Sequence, residues 1–259
     1  GHREPGRADI KAYIDRQAEE VGLKPEKMLD VEIGYSYNAE NLSLAANLYF
    51  MEYWDMLIET GKLTDVGYAI KENVPRSWRR GLELSASWKP FEFLKIAGNM
   101  TLSTNKIKSY TAYYDMYDNI DEWNYLGQRE VLFENTDILM SPSLVGMANV
   151  TVRPFYSYSK VLDPLFVSLT GKYVGKQFYD NSSSAERSIP AYFVSDLSVG
   201  WEKGILGLSC HINNLFNRLY YADAWVWTAY FQQEDAYYSE IGIYPQAPVN
   251  FMFKVAYRF

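Results

Sequence analysis

Few residues in this chain are spaced for covalent chemistry. Ser182-Ser183-Ser184 is followed by Glu186 and Arg187, but no histidine lies nearby, and a nucleophilic triad needs a base within hydrogen-bond reach. The serines fit a flexible loop tip, and no enzymatic activity is expected. His2, His211 and the single cysteine, Cys210, have no partner at metal-ligand spacing, so Cys210 and His211 read as ordinary strand residues. The carboxylate pair Glu19-Glu20 falls on an amphipathic helix expected near 8–21, striped by Ile10, Ile14 and Val21, and reads as its solvated face. No cofactor and no metal site are assigned.

Aromatic side chains carry the stronger signal. Tyr110, Tyr113, Tyr114, Tyr117, Trp123 and Tyr125 crowd one stretch. A second holds Tyr220, Tyr221, Trp225, Trp227, Tyr230 and Phe231, followed by Tyr237 and Tyr238. Rigid rings with a polar tip offer large contact area at low entropy cost, which suits capture of a bulky ligand. Tyr113, Tyr114, Tyr117, Trp123, Trp225, Trp227, Tyr237 and Tyr238 are therefore the candidate ligand-binding residues. The alternative is that such rings pack the loops together or form an interfacial girdle, which suits Trp88, Tyr173 and Trp201 beside strands. Asp115, Asp118, Asp121, Glu122, Glu234 and Asp235 share these stretches; they could meet a cationic ligand, or simply be solvated.

The elements that hold these rings read as β-strands. Aromatics make up 17% of the chain, with 23 Tyr and 7 Trp, a mixture suited to a surface part lipid and part water. Mean hydropathy is negative, and no run approaches the roughly 18 apolar residues of a membrane helix. Alternation hides a barrel from an averaged scale, so a barrel stays open. A net charge of −7 without a basic stripe excludes a nucleic-acid partner.

The terminal run Val249 to Phe259 has an apolar or aromatic residue at every odd position and a mixed, mostly polar partner row. That is the lipid-out, lumen-in alternation of a membrane strand. About nine such strands are expected, near 28–38, 42–57, 77–90, 93–109, 142–154, 164–178, 190–202, 205–217 and 249–259. Short turns alternate with long connections near 58–76, 110–141, 179–189 and 218–245. With short turns periplasmic and long loops outside, the last strand runs inward and residues 1–27 form part of an extracellular loop. An odd strand number and no secretory signal lead us to expect a C-terminal piece of a longer precursor. Alone it should form a curved open sheet with unpaired edges.

The chain resembles the TonB-dependent receptors of the Gram-negative outer membrane, particularly those of the Bacteroides group. The likeness rests on His2-Arg3-Glu4-Pro5 with Arg7 and Asp9, and on Leu23-Lys24-Pro25-Glu26-Lys27 leading into Asp30-Val31-Glu32-Ile33-Gly34-Tyr35. Asn73-Val74-Pro75 before Gly81-Leu82-Glu83-Leu84 extends it, as does Lys172 to Phe178. Asn213-Asn214-Leu215-Phe216-Asn217 with Tyr220-Tyr221, then Tyr244-Pro245-Gln246-Ala247 and the terminal Phe, complete it.

The resemblance implies an all-β, antiparallel transmembrane barrel, of which residues 1–259 supply the C-terminal part, without the plug domain and N-terminal strands. It also implies capture of a scarce nutrient chelate, siderophore-iron, cobalamin or similar, at the extracellular loops and import into the periplasm. Outer-membrane lipid and the TonB complex, reached through the absent N-terminal part, are the implied partners. So is the barrel-assembly machinery, which by resemblance reads Tyr257 and Phe259. Two alternatives are a complete small outer-membrane barrel acting as pore or enzyme, and a soluble β-sandwich that binds carbohydrate or acts as an adhesin.

Overall fold

The computed structural model describes residues 1–16, 22–63 and 69–258. Glu19, Glu20, Val21 and Phe259 lie outside the described residues. The chain opens with β1 (His2–Arg3) and α1 (Arg7–Arg16), then runs through β2 (Glu26–Asn38), β3 (Leu42–Leu63), β4 (Ala69–Phe91), β5 (Leu94–Tyr117) and β6 (Tyr125–Asp137). β7 (Leu144–Val152), β8 (Leu165–Val174), β9 (Gln177–Phe178), β10 (Ser188–Ile189) and β11 (Tyr192–Lys203) follow. β12 (Leu206–Asn213), β13 (Tyr221–Phe231), β14 (Ala236–Pro245) and β15 (Asn250–Tyr257) complete it.

Nine of these, β2 to β5, β7, β8, β11, β12 and β15, correspond to the expected strands and form one antiparallel wall. Among the described residues β15 pairs only with β12, so the wall is an open sheet. Its register makes the alternation two-dimensional. Leu42, Trp88, Ile96, Val150, Leu169, Leu197, Ile212 and Phe251 stand opposite one another in turn across eight strands. A second row joins Val152, Val167, Val199, Cys210 and Phe253.

These rows are not covered by protein. Phe251 and Phe253 are 69% and 72% exposed, and Leu169, Trp88 and Tyr173 are exposed as well. An apolar face of this extent, continuous across strands, has the pattern of a membrane barrel's outer surface. The opposite face is polar and cross-linked. Asn149 Nδ2 donates to Ser168 Oγ at 2.7 Å and Thr170 Oγ1 at 2.8 Å. His211 is held by Ser198 at Nδ1 (2.9 Å) and Ser209 at Nε2 (3.1 Å), so it is a strand residue with its polarity satisfied.

The short turns have local causes. Gly204 adopts φ +58° in the β11–β12 turn, a left-handed conformation that glycine takes without a Cβ penalty. Asn214, buried with φ +51°, explains the Asn-Asn-Leu-Phe-Asn run. Its amide Nδ2 donates to the Arg218 and Ala247 carbonyls at 2.9 and 3.1 Å, and its backbone N–H donates to Asp196 Oδ1 at 2.8 Å. The motif thereby clamps the end of β12 to β11 and to the return into β15. Asn73-Val74-Pro75 has a similar reading. Pairing steps from Trp54↔Arg76 to Met56↔Val74, leaving Asp55 opposite Pro75, which has no N–H to donate. Asn73 Nδ2 supplies the missing bond to the Asp55 carbonyl at 2.6 Å.

Above the wall the structure departs from the sequence reading. The stretches 110–141, 179–189 and 218–245, expected as loops, contain β5's upper half with β6, the short strand β10 that pairs back onto β9, and the hairpin β13–β14. β4 leaves β5 at Ser77↔Ile107. The edge so freed is taken by β13 in parallel, Ala229 to Phe231 against Asp115 to Tyr117. The largest buried apolar cluster lies here, with Met56, Ile58, Ile107, Tyr110 and Ile138 among its members. This crown, not the wall, has a conventional protein core.

The expected helix near 8–21 is observed as α1 and described to Arg16. It is joined to β4 by the Asp9–Lys71 ion pair at 3.1 Å. No helix among the described residues is long and apolar enough to cross a membrane.

Candidate functional site

The eight candidate rings, expected on two separate loops, are brought together where β5–β6 meets β13–β14. They then divide into two groups. Tyr113 and Tyr114 of β5, with Trp225 and Trp227 of β13, line a cavity of ≈ 660 Å³. Tyr117, Trp123, Tyr237 and Tyr238 instead join the hairpins to each other.

The second group is an aromatic joint. Trp123 stacks on Trp227 at 6.0 Å and meets Phe231 edge-on at 4.8 Å, Tyr238 at 6.1 Å and Tyr117 at 5.2 Å. Tyr237 stands edge-on to Tyr114 at 5.5 Å, and Arg129 covers the Tyr230 ring at 3.8 Å. Edge-to-face and offset pairs of this kind add stability beyond their buried area. The Tyr230 hydroxyl donates to Asp235 Oδ1 at 2.5 Å, and that bond holds the phenol protonated to higher pH than usual. These four rings make the packing contacts that the alternative reading of the sequence expects.

In the cavity, Trp225 is pinned by its ladder partner. It faces Gly242, where a Cβ would collide with the indole, so glycine lets the ring lie flat across β14. Trp225 remains 43% exposed, while Trp227 donates its indole N–H to Asp115 Oδ2 at 3.4 Å.

Arg187 is the residue that sequence reasoning missed. It enters from the β9–β10 connection and donates Nη1 to Asp180 Oδ2 at 2.8 Å and to the Tyr114 hydroxyl at 3.3 Å. Its Nη2 donates to Ser239 Oγ of β14 at 3.1 Å. One guanidinium thus ties three elements. Burial alone would lower its pKa, but the bonds to Asp180 and Tyr114 outweigh that and keep it charged. Burial likewise pushes the Tyr114 phenol up, with Arg187 opposing. The sequence signal was present in Arg187 following an acidic and serine-rich tip, but nothing local indicated its distant partners.

Ser182, Ser183 and Ser184 organise this same tip. Ser182 Oγ donates to Asp180 Oδ1 at 2.6 Å, and Ser183 Oγ donates to Asp137 Oδ2 at 3.0 Å. Asn181, almost fully buried, accepts from Leu139 N at 2.9 Å and donates to the Glu59 carbonyl at 3.1 Å. The arrangement holds a shape; it presents a concave aromatic and polar surface suited to binding.

A family model described as "TonB dependent receptor-like, beta-barrel" matches residues 6–215. The chain belongs to the TonB-dependent receptor β-barrel family. It is similar to the pesticin receptor of Yersinia enterocolitica, 22% identical over 196 residues, which are 75% of this chain and 25% of that one. The chain spans about a quarter of the length of the curated relatives it matches. Among solved structures, the receptor chain resembles the ferric-catecholate import receptor Fiu of E. coli K12, with TM-score 0.56 and 16% identity over 92% of this chain and 28% of that chain. The siderophore receptor PiuA of Acinetobacter baumannii gives TM-score 0.59 and 14% identity over 90% and 28%. At such identities the likeness is one of fold.

Proposed function

We propose that this chain supplies wall and extracellular crown to a receptor of the Gram-negative outer membrane. There a nutrient chelate, such as siderophore-bound iron, is held in the cavity between β5 and β13 and then imported into the periplasm. The observation that carries this is the convergence of Tyr113, Tyr114, Trp225 and Trp227 on one concavity directly above a lipid-facing wall. The solved structures described as ferric-catecholate and siderophore receptors support the same ligand class.

On this reading residues 1–27 are extracellular, the outward apolar rows contact outer-membrane lipid, and import draws on the TonB complex through parts of the receptor beyond this chain. The exposed β15 row ending in Tyr257, with Phe259 after it, is the signal for the barrel-assembly machinery. Trp88 and Tyr173, exposed on the outward face, serve as girdle residues, and Trp201, which donates to the Val161 carbonyl at 2.6 Å, anchors a short turn.

The test is binding of the full-length receptor, purified in detergent, to ferric siderophores, haem, cobalamins and glycans. Trp225→Ala/Trp227→Ala is expected to weaken selective binding at least roughly tenfold, as removal of central aromatic anchors does. Affinity unchanged in that variant would return both rings to crown packing.

A further inference from the structure

We propose that the cavity between β5 and β13 takes a cationic or neutral chelate with flat apolar flanks and rejects polyanionic ones, an inference that rests on the cavity being the ligand site. Five charged residues among the described ones line it: Glu59, Asp180, Arg187, Asp223 and Glu240. Arg187 and Asp180 form an ion pair at 2.8 Å. Glu59 of β3, Asp223 of β13 and Glu240 of β14 are in no ion pair among the described residues.

Nearby cations among the described residues are already committed. Lys71 stands opposite Glu59 in the ladder but gives its ammonium to Asp9 at 3.1 Å. Arg129 is turned onto the rings of Tyr230 and Tyr237, at 3.8 and 5.5 Å. Like charges around a volume walled by indole and phenol rings focus a negative potential into it. A cation there also gains from the π faces of Trp225 and Trp227. A polyanion meets repulsion, with the Arg187 guanidinium already bonded to Asp180, Tyr114 and Ser239.

A second observation points to a ligand. Thr60, 3% exposed, lines the same cavity, and its hydroxyl is buried without a hydrogen-bond partner among the described residues. A buried hydroxyl left unpaired is destabilising; covered over in this structure, it is relieved by a ligand group that displaces its cover and bonds it. Gly61 follows Thr60 in β3 and lines the same cavity. With φ +92° it lets β3 approach β5 so closely that a Cβ would lie 2.6 Å from the Tyr113 carbonyl oxygen.

The experiment uses the full-length receptor in detergent and two ferric chelates of similar size. One is a trihydroxamate bearing a free ammonium group, the other a tris-catecholate trianion. The trihydroxamate is expected to bind roughly tenfold tighter or more at low salt, with the preference shrinking as salt is added. Glu59→Gln/Asp223→Asn/Glu240→Gln, which replaces exposed groups isosterically, should erase most of that preference. Thr60→Val should weaken binding a few-fold.

Equal or inverted preference that is still lost in Trp225→Ala/Trp227→Ala overturns the charge inference while the cavity stands as the site. Binding that none of these substitutions alters overturns both. Failure of the ammonium-bearing trihydroxamate to bind at any salt concentration also overturns the charge inference. The salt dependence of the unaltered receptor decides the matter even if the triple variant fails to fold.

Discussion

The wall and the crown are built from the same kind of strand under opposite solvents. In the wall Val150, Leu169 and Phe251 are exposed, the arrangement of a barrel in which lipid takes the place of a protein core. In the crown, strands such as the upper half of β5 turn Tyr110, Ala112 and Tyr114 inward and bury them, because water surrounds it. One continuous strand, β5, obeys both rules along its length. Alternation therefore identifies a strand but does not say which side is inside; the medium decides that.

The sharpest way to break this comparison is a charge on the lipid side. Leu169→Arg, in the middle of β8, is expected to destabilise the full-length barrel by about 2–4 kcal/mol. Thr170→Lys, one residue along on the polar face, should cost only about 1 kcal/mol through its lost bond to Asn149. Denaturant titration of the receptor refolded into bilayers measures both, and equal losses would contradict the assignment of faces.

In the crown, Arg187→Met should destabilise locally by about 2 kcal/mol, since it strands the partly buried Asp180 and removes charged hydrogen bonds. Hydrogen exchange should accelerate in β13 and β14 and stay unchanged in β7, β8 and β11. Uniform acceleration would mean that crown and wall form one cooperative unit.

Trp123→Ala should loosen the joint by roughly 1–2 kcal/mol, seen as faster proteolytic nicking near 118–125 with the wall intact. The smallest effect concerns Asp118. The Asn124 side chain, then the Asn119 and Asn124 backbone N–H groups, hold its carboxyl below the ordinary carboxylate range. A depressed folded pKa stabilises the tip above the unfolded value, about 4, and the effect is lost as pH falls through the folded one. Amide protection at Asn119 and Asn124, relative to the intrinsic exchange rate at each pH, should fall under acid, and Asp118→Asn should remove that dependence.

The nine wall strands were legible because each is specified by its own alternation. The four strands β6, β10, β13 and β14 were not, since aromatic-rich stretches such as 218–245 suit a loop as well as a hairpin. Only pairing across large sequence distances distinguishes the two, as when Ala229 meets Asp115. The candidate rings were found by type, but their division between cavity and joint was not. Tyr113 and Tyr117 share a strand and a chemistry, and differ in what stands opposite them.

By itself, then, the sequence determined the strand periodicity, the polar and apolar faces and the family, all of which are encoded within short windows. The tertiary structure alone decided where the cavity lies, that Arg187 would unite Asp180, Tyr114 and Ser239, and that Glu59, Asp223 and Glu240 would share one space. Those outcomes depend on which distant strand edges meet. Backbone pairing between remote segments is set by the whole sheet, and no local window contains it.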